Sequence, residues 1–133
     1  LKRANLTKAG LSYTNFNNAD LSGANLAKLN LITGVNFNGA DLSGVNLSGA
    51  NLSSVSLAGV NLSGANLSES NLSSVDFSEA NLSSANLSDL QIQDRPGNPT
   101  SFKQANLTSA KLIGADLTGA TFEGANLRQA NIR

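Results

Sequence analysis

The sequence has no cysteine, histidine, methionine or tryptophan. Without cysteine there are neither disulfides nor thiolate metal ligands, and the redox compartment is left open. Without histidine and cysteine, the commonest general base and the commonest activated nucleophile are both missing, and zinc would have to be held by carboxylates alone. Neither a dinucleotide fingerprint nor a phosphate-cradling glycine loop followed by lysine is present. The chain is therefore not expected to be an enzyme or to carry a metal or cofactor. No apolar run approaches membrane-spanning length, and no secretory leader pattern is recognisable. Charge is sparse at 14% of residues, with nine bases balancing nine acids to a net charge of zero. There is one tyrosine, and the only two prolines stand at positions 96 and 99.

What the chain has is a short unit repeated. Residues 40–68 read ADLSG VNLSG ANLSS VSLAG VNLSG ANLS, with apolar centres at Leu42, Leu47, Leu52, Leu57, Leu62 and Leu67. A period of five fits neither one helix, which repeats its faces every 3.6 residues, nor one strand, which repeats every two. Within each unit the centre and the residue two before it are apolar with a polar residue between, which is a three-residue strand alternation, and two turn formers follow. One short strand plus one corner, repeated in one sense, must wind into a coil. A slower period sets the number of sides. Phe16, Phe37 and Phe77 replace the usual leucine centre, and Thr14, Val35, Val55 and Val75 are β-branched two residues before a centre; these sets recur every 20 or 21 residues. Four units per turn stack Thr14, Val35, Val55 and Val75 in one column and Phe16, Phe37, Leu57 and Phe77 in the next, whereas three sides would scatter them. The single 21-residue step predicts one extra residue at positions 32–34, in Ile32, Thr33 and Gly34.

The A(D/N)LXX pattern, written as Ala24-Asn25-Leu26, Ala40-Asp41-Leu42, Ala65-Asn66-Leu67 and Ala115-Asp116-Leu117, resembles that of the pentapeptide-repeat family over nearly the whole chain. The resemblance implies that family's right-handed quadrilateral parallel β-helix, an all-β solenoid and the same four-sided coil that the 20-residue spacing indicates. With 20 residues per coil, 133 residues make one domain of six to seven coils. At roughly 4.8 Å per coil the rod is on the order of 30 Å long. Each buried Leu or Phe centre contributes roughly 1.5–3 kcal/mol before chain entropy is subtracted. Leu1 is already in register with Leu6 and Leu11, and Ile132 and Arg133 fall within a repeat. A coil ending so exposes apolar cross-section and strand edges, so capping by flanking residues or end-to-end self-association is expected.

Along the chain, residues 1–31 are basic at the corners through Lys2, Arg3, Lys8 and Lys28, with Tyr13 facing out. Residues 32–94 lack Lys and Arg and hold six acids. Gly39, Gly44, Gly49, Gly59 and Gly64 fall at the second corner residue, where a type II turn needs positive φ. Ser54, Ser74 and Ser84 at that position predict a different turn. The pattern fails at residues 91–102, where two prolines in four residues remove ladder donors and predict a loop at about 93–101. Because Ile92 and Phe102 are two units apart, the loop is expected to stand in for one side of one coil, with Gly97 where a leucine centre would be. Residues 102–133 resume the coil and turn basic again through Lys103, Lys111, Arg128 and Arg133.

Three surface features are candidates for function. Asp94, Arg95, Asn98 and Lys103 mark the loop as an interaction site, since loops on rigid scaffolds often carry binding residues; the alternative is an insertion without a role. Glu69 and Asp89 share a corner position on adjacent coils, with Asp76 and Glu79 expected on the next side, so the four form a candidate acidic patch or a plain solvated surface. Like charges stacked this way are mildly destabilising unless something compensates. The Ser and Asn columns, including Asn46, Asn51, Asn61, Asn66 and Asn71, offer an ice- or polysaccharide-binding lattice, or side chains that satisfy one another. The many Asn-Leu-Ser triplets argue against a eukaryotic secretory route. The family resemblance implies cytoplasm, periplasm or thylakoid lumen, and it adds one further role, the DNA mimic that binds type II topoisomerase. Zero net charge and acids confined to the middle make a poor copy of a backbone carrying one charge per ~1.7 Å. Direct nucleic-acid binding is disfavoured too, with no stacking platform and no basic face along the rod. The reading that remains is a non-catalytic structural or interaction module whose flat faces and one loop meet a protein partner of unknown identity.

Overall fold

The computed structural model describes residues 1–30, 33–94 and 96–133. The five-residue units wind into a four-sided parallel coil in which each unit bridges the next coil through the residue before its centre. Asn46 pairs with Asn66 and Asn66 with Asn86, while Asp41 pairs with Asn61 and Asn61 with Asn81. Four faces result. Face 1 is centred on Leu21, Leu42, Leu62, Leu82 and Leu107, and face 2 on Leu26, Leu47, Leu67, Leu87 and Leu112. Face 3 is centred on Leu52, Leu72 and Ile92, and face 4 on Phe16, Phe37, Leu57, Phe77 and Phe102; all of these centres are buried. No helix among the described residues is long and apolar enough to cross a membrane.

The spacing places the core as expected. Phe16, Phe37, Leu57 and Phe77 line one column and Val35, Val55 and Val75 the column beside it, all buried. Phe16 stacks on Phe37 with ring centroids 5.5 Å apart. Around this core the backbone is saturated by a short rule: the centre N–H reaches the next coil, as Leu62 to Asn81 at 2.8 Å, and each corner closes on its own centre, as Ala65 N–H to Leu62 O at 3.0 Å. Buried peptide groups are thereby paired without long strands.

The second corner residue has positive φ at serine corners as at glycine corners. Gly44 has φ 62° and Gly64 65°, but Ser54, Ser74 and Ser84 have 63°, 59° and 57°. The different turn predicted at those serines does not occur. The reason is the coil above: Ser54 N–H donates to Ser73 O at 3.0 Å and Ser84 N–H to Thr108 O at 2.8 Å, the bonds that glycines make at the same position. Inter-coil bonding overrides a local cost of roughly 1–2 kcal/mol for a side chain in the left-handed region. Two mirror substitutions test this. Gly44→Ala, where an added Cβ meets nothing within 4 Å, is expected to cost about 1 kcal/mol. Ser84→Gly should be neutral to stabilising by up to about 1 kcal/mol. Urea melts with unchanged m-values would read both, and equal costs in the same direction would refute the strain argument.

The outward polar residues are used differently on different faces. On faces 1 and 2 the amides ladder between coils: Asn81 donates to Asn61 at 3.2 Å and Asn61 to Asp41 at 3.0 Å, while Asn86 donates to Asn66 at 3.2 Å. The same oxygens accept the corner N–H two residues on, as Ser63 N–H to Asn61. Asp20 and Asp116 make this corner contact as carboxylates. The hydroxyl and then the N–H of Ser22 hold Asp20 below the ordinary value of 3.8, and Thr118 does the same for Asp116. Stability from these two carboxylates is present above the ordinary value and is lost as pH falls through the lowered one.

Two places break the 20-residue register. Asn5 pairs with Asn25, but Asn15 pairs with Asn36. Asn51 N–H reaches back to Leu29 O, while Tyr13 N–H already meets Thr33 O. The pairs that span residues 31 and 32 thus step by 21, and the expected Ile32 lies outside the described residues. The second break is larger. Asp76 pairs with Ser101, Asn81 with Asn106 and Gln91 with Asp116, a step of 25. The proline segment is thus a fifth unit added to one coil, and it does not stand in for a side. Gly97 holds no centre position. Phe102 takes the place above Phe77, with centroids 5.0 Å apart, and Phe122 stacks on Phe102 at 4.8 Å. Stacking a ring on a ring buries far more apolar area than leaving Phe77 beneath a glycine, so the chain bulges outward.

Candidate functional site

The inserted unit leaves the coil after Ile92 on face 3 and rejoins it at Thr100 on face 4. Both ends are fixed. Ile92 and Thr100 are buried, and Thr100 occupies the β-branched column above Val75. Between them one carboxylate does most of the anchoring. Asp94 Oδ1 accepts the Ser74 N–H at 2.8 Å and the Thr100 hydroxyl at 2.8 Å, and Oδ2 accepts the Thr100 N–H at 2.7 Å. At an ordinary corner the donor equivalent to Ser74 N–H bonds a peptide carbonyl of the next coil. Asp94 supplies a side-chain oxygen where the bulge has carried that carbonyl away. The Ser74 hydroxyl then donates to Asn98 O at 2.8 Å, and Gln93 N–H to the Ser73 hydroxyl at 2.9 Å. The insertion is pinned to the coil beneath it, while Pro96, Gly97, Asn98 and Pro99 remain exposed at its crest.

Two surface hollows flank the crest. One, of about 370 Å³, lies between Asp94, Pro96, Gly97 and Pro99 and the next coil's Thr118 and Gly119. The other, also about 370 Å³, is polar and is lined by Ser53, Ser54, Asn71, Ser73, Ser74, Gln93 and Asn98.

The four residues marked from the sequence thus separate. Asp94 is a structural anchor facing inward. Asn98 is exposed at the crest. Arg95 lies outside the described residues. Lys103 stands at the following corner, between faces 4 and 1, where its ammonium lies 3.7 Å from Glu123. Sequence reasoning missed Ser74 and Thr100, which hold the insertion in place. A signal existed, since Thr100-Ser101-Phe102 repeats the sense of Val75-Asp76-Phe77.

The acidic patch also separates. Glu69 and Asp89 sit at the corner between faces 2 and 3 and together line a hollow of about 420 Å³ with Ser70, Asn71, Gln91 and Gln93. Asp76 lies on face 4, where it accepts the Ser78 N–H at 2.9 Å. Glu79 occupies the corner between faces 4 and 1, diagonally opposite Glu69, because two units of five carry the chain halfway round the coil. The four carboxylates do not form one patch, and no group of three His, Cys, Asp or Glu among the described residues could hold a metal ion.

A saturated four-sided coil with one anchored corner insertion defines a β-solenoid of the repeat class. The chain belongs to the pentapeptide-repeat family: the family model for the pentapeptide repeat region matches residues 30–96, and that for pentapeptide repeats in eight copies matches residues 1–32 and 100–133. Among solved structures, it is 32% identical to HetL, a pentapeptide-repeat protein involved in heterocyst differentiation regulation from the cyanobacterium Nostoc sp. strain PCC 7120; the match covers 98% of this chain and 60% of HetL, with a TM-score of 0.44. It is 28% identical to AT2G44920 from the Arabidopsis thaliana thylakoid lumen, over 90% of this chain and 66% of that one, with a TM-score of 0.39. It is 19% identical to QnrB1, a plasmid-mediated fluoroquinolone resistance protein, over 98% and 68% of the two chains, with a TM-score of 0.49. The chain therefore spans about 60% of the length of HetL. No protein with a curated description matches it by sequence.

Proposed function

We propose that this chain is a non-catalytic interaction module: a rigid coil that presents the crest of one corner insertion to a protein partner. The observation that carries this reading is the contrast between the coil and the crest. On faces 1 and 2 the amides bond one another, which leaves those amides little hydrogen-bonding capacity for a partner. The insertion is anchored at its base by Asp94 and displays residues 96–99 to solvent. A segment fixed at both ends loses less conformational freedom on binding than a free loop does, and a partner need not reorganise the coil to reach it.

The register supplies a clean test. Deleting residues 95–99 removes one whole unit and joins Asp94 to Thr100, giving Ile92-Gln93-Asp94-Thr100-Ser101-Phe102 in the regular pattern. The deletion variant is expected to keep its strand signature by circular dichroism. Capture from the source organism's lysate by the native chain, lost with the variant, supports recognition at the crest. Equal capture by both would move recognition to the faces, and topoisomerase subunits in the eluate would replace this reading with the DNA mimic.

A further inference from the structure

One edge of the coil has a charge order that the module reading does not use. At the corner between faces 2 and 3 the second turn residue of successive coils is Lys8, Lys28, Gly49, Glu69, Asp89 and Gly114. Two cations are followed by a glycine and then two anions, all at an exposed position. The one ion pair among the described residues is Lys103 with Glu123, so these four charges have no partner within the described chain. Each also stacks on a like charge one coil away, which is unfavourable unless an opposite charge is brought in.

Reversing the edge end for end about Gly49 exchanges its signs. Lys8 then faces Asp89 and Lys28 faces Glu69, twice over. A two-fold axis lying across face 2 at the level of Gly49 produces this arrangement, because such an axis sets face 2 on face 2, antiparallel, and keeps the same edge against itself. Nothing on the face opposes it: the outward residues of face 2 at these five coils are Asn5, Asn25, Asn46, Asn66 and Asn86, all neutral. At the far edge the same five coils present Arg3, Gly23, Gly44, Gly64 and Ser84, so the reversal sets Arg3 of each copy against the neutral Ser84 of the other, with only glycines between them. We infer that a second copy of this chain docks on face 2, antiparallel, with Lys8 and Lys28 of each copy paired to Asp89 and Glu69 of the other. A net charge of zero removes the long-range repulsion that keeps strongly charged proteins apart. An edge and face five coils long fall well below the roughly 800 Å² per partner of a standard interface. The association is accordingly weak, reversible and governed by salt, since exposed ion pairs are screened.

The test uses two edge variants and their mixture. Lys8→Glu with Lys28→Glu makes the edge wholly acidic, and Glu69→Lys with Asp89→Lys makes it wholly basic. In sedimentation velocity at about 0.01 M salt, where the Debye length is roughly 30 Å, the native chain should self-associate. At about 1 M salt that association should fall at least tenfold, the Debye length there being roughly 3 Å. Each variant alone should stay monomeric with native circular dichroism, and an equimolar mixture should form a one-to-one complex at least as tight as the native dimer. The chain lacking residues 95–99 should associate as the native chain does, which separates this contact from the crest. A native chain that remains monomeric at low salt, variants that self-associate like the native chain, or a mixture no better than its components would each overturn the inference. Loss of association in the deletion variant would overturn it too, by moving the contact to the neighbouring corner.

Discussion

Alanine at Phe102 is expected to cost about 3–5 kcal/mol. The ring is fully buried and lies between Phe77 at 5.0 Å and Phe122 at 4.8 Å, so truncation empties one level of a column whose neighbours cannot close the gap without shortening the coil. Leucine should cost much less, about 1–1.5 kcal/mol, because Leu57 already occupies the same column and is fully buried. Where the loss appears is as informative as its size. In a one-dimensional stack each coil is held only by its neighbours, so Phe102→Ala should loosen residues 102–133 before the coils centred on Leu42, Leu62 and Leu82. Hydrogen exchange would show amides beyond Phe102 losing protection first. A uniform loss along the whole rod would contradict the nearest-neighbour picture.

The second large effect belongs to Asp94. Replacing it with alanine leaves the Ser74 N–H, the Thr100 N–H and the Thr100 hydroxyl without the acceptor that they share. The hydroxyl keeps its contact to Leu72 O at 2.8 Å, but the two N–H groups are stranded in a partly buried corner. Bonds to a charged acceptor are worth more than neutral ones, and the combined cost should be about 2–4 kcal/mol in chemical denaturation. A double-mutant comparison sharpens the claim. In the chain lacking residues 95–99 the corner is regular, the Gln93 carbonyl takes over the Ser74 N–H, and the same Asp94→Ala change should cost less than about 1 kcal/mol. An equal cost in both backgrounds would mean that Asp94 stabilises the coil by something other than replacing a displaced carbonyl.

Much of this architecture was legible in the sequence because the core is written in columns. Phe16, Phe37 and Phe77 at steps of 20 and 21 set four sides, and the coil has four. The insertion was only half legible. Substituting a side and adding one both preserve the five-residue phase between Ile92 and Phe102, so phase alone cannot separate them. What separates them is which partner lies above Phe77, and Thr100 ahead of Phe102, matching Val75 ahead of Phe77, carried that information. The serine corners misled for another reason. Turn preference is a property of a few residues, whereas the positive φ of Ser54 and Ser84 is imposed by carbonyls 19 and 24 residues further along. Asp94 stands among the candidates because loops on rigid scaffolds often carry binding residues; nothing local in the sequence shows that its carboxylate replaces a displaced peptide oxygen. Glu69 and Asp89 share the corner that their 20-residue spacing predicts, but Asp76 and Glu79 do not lie on the next side, because a coil that turns every five residues sends Glu69 and Glu79 to opposite corners.

Both departures from the 20-residue register fall where face 3 leads into face 4. The other three corners carry an unbroken line of turns past them. Length added at this seam alters neither the phase of the coils before it nor that of the coils after it, because the core columns on either side close up as though nothing had been inserted. The rod thus has one place along its girth where extra length, one residue in one coil and a whole unit in another, is taken up, and there the family's repetitive scaffold can acquire individuality without renegotiating its interior.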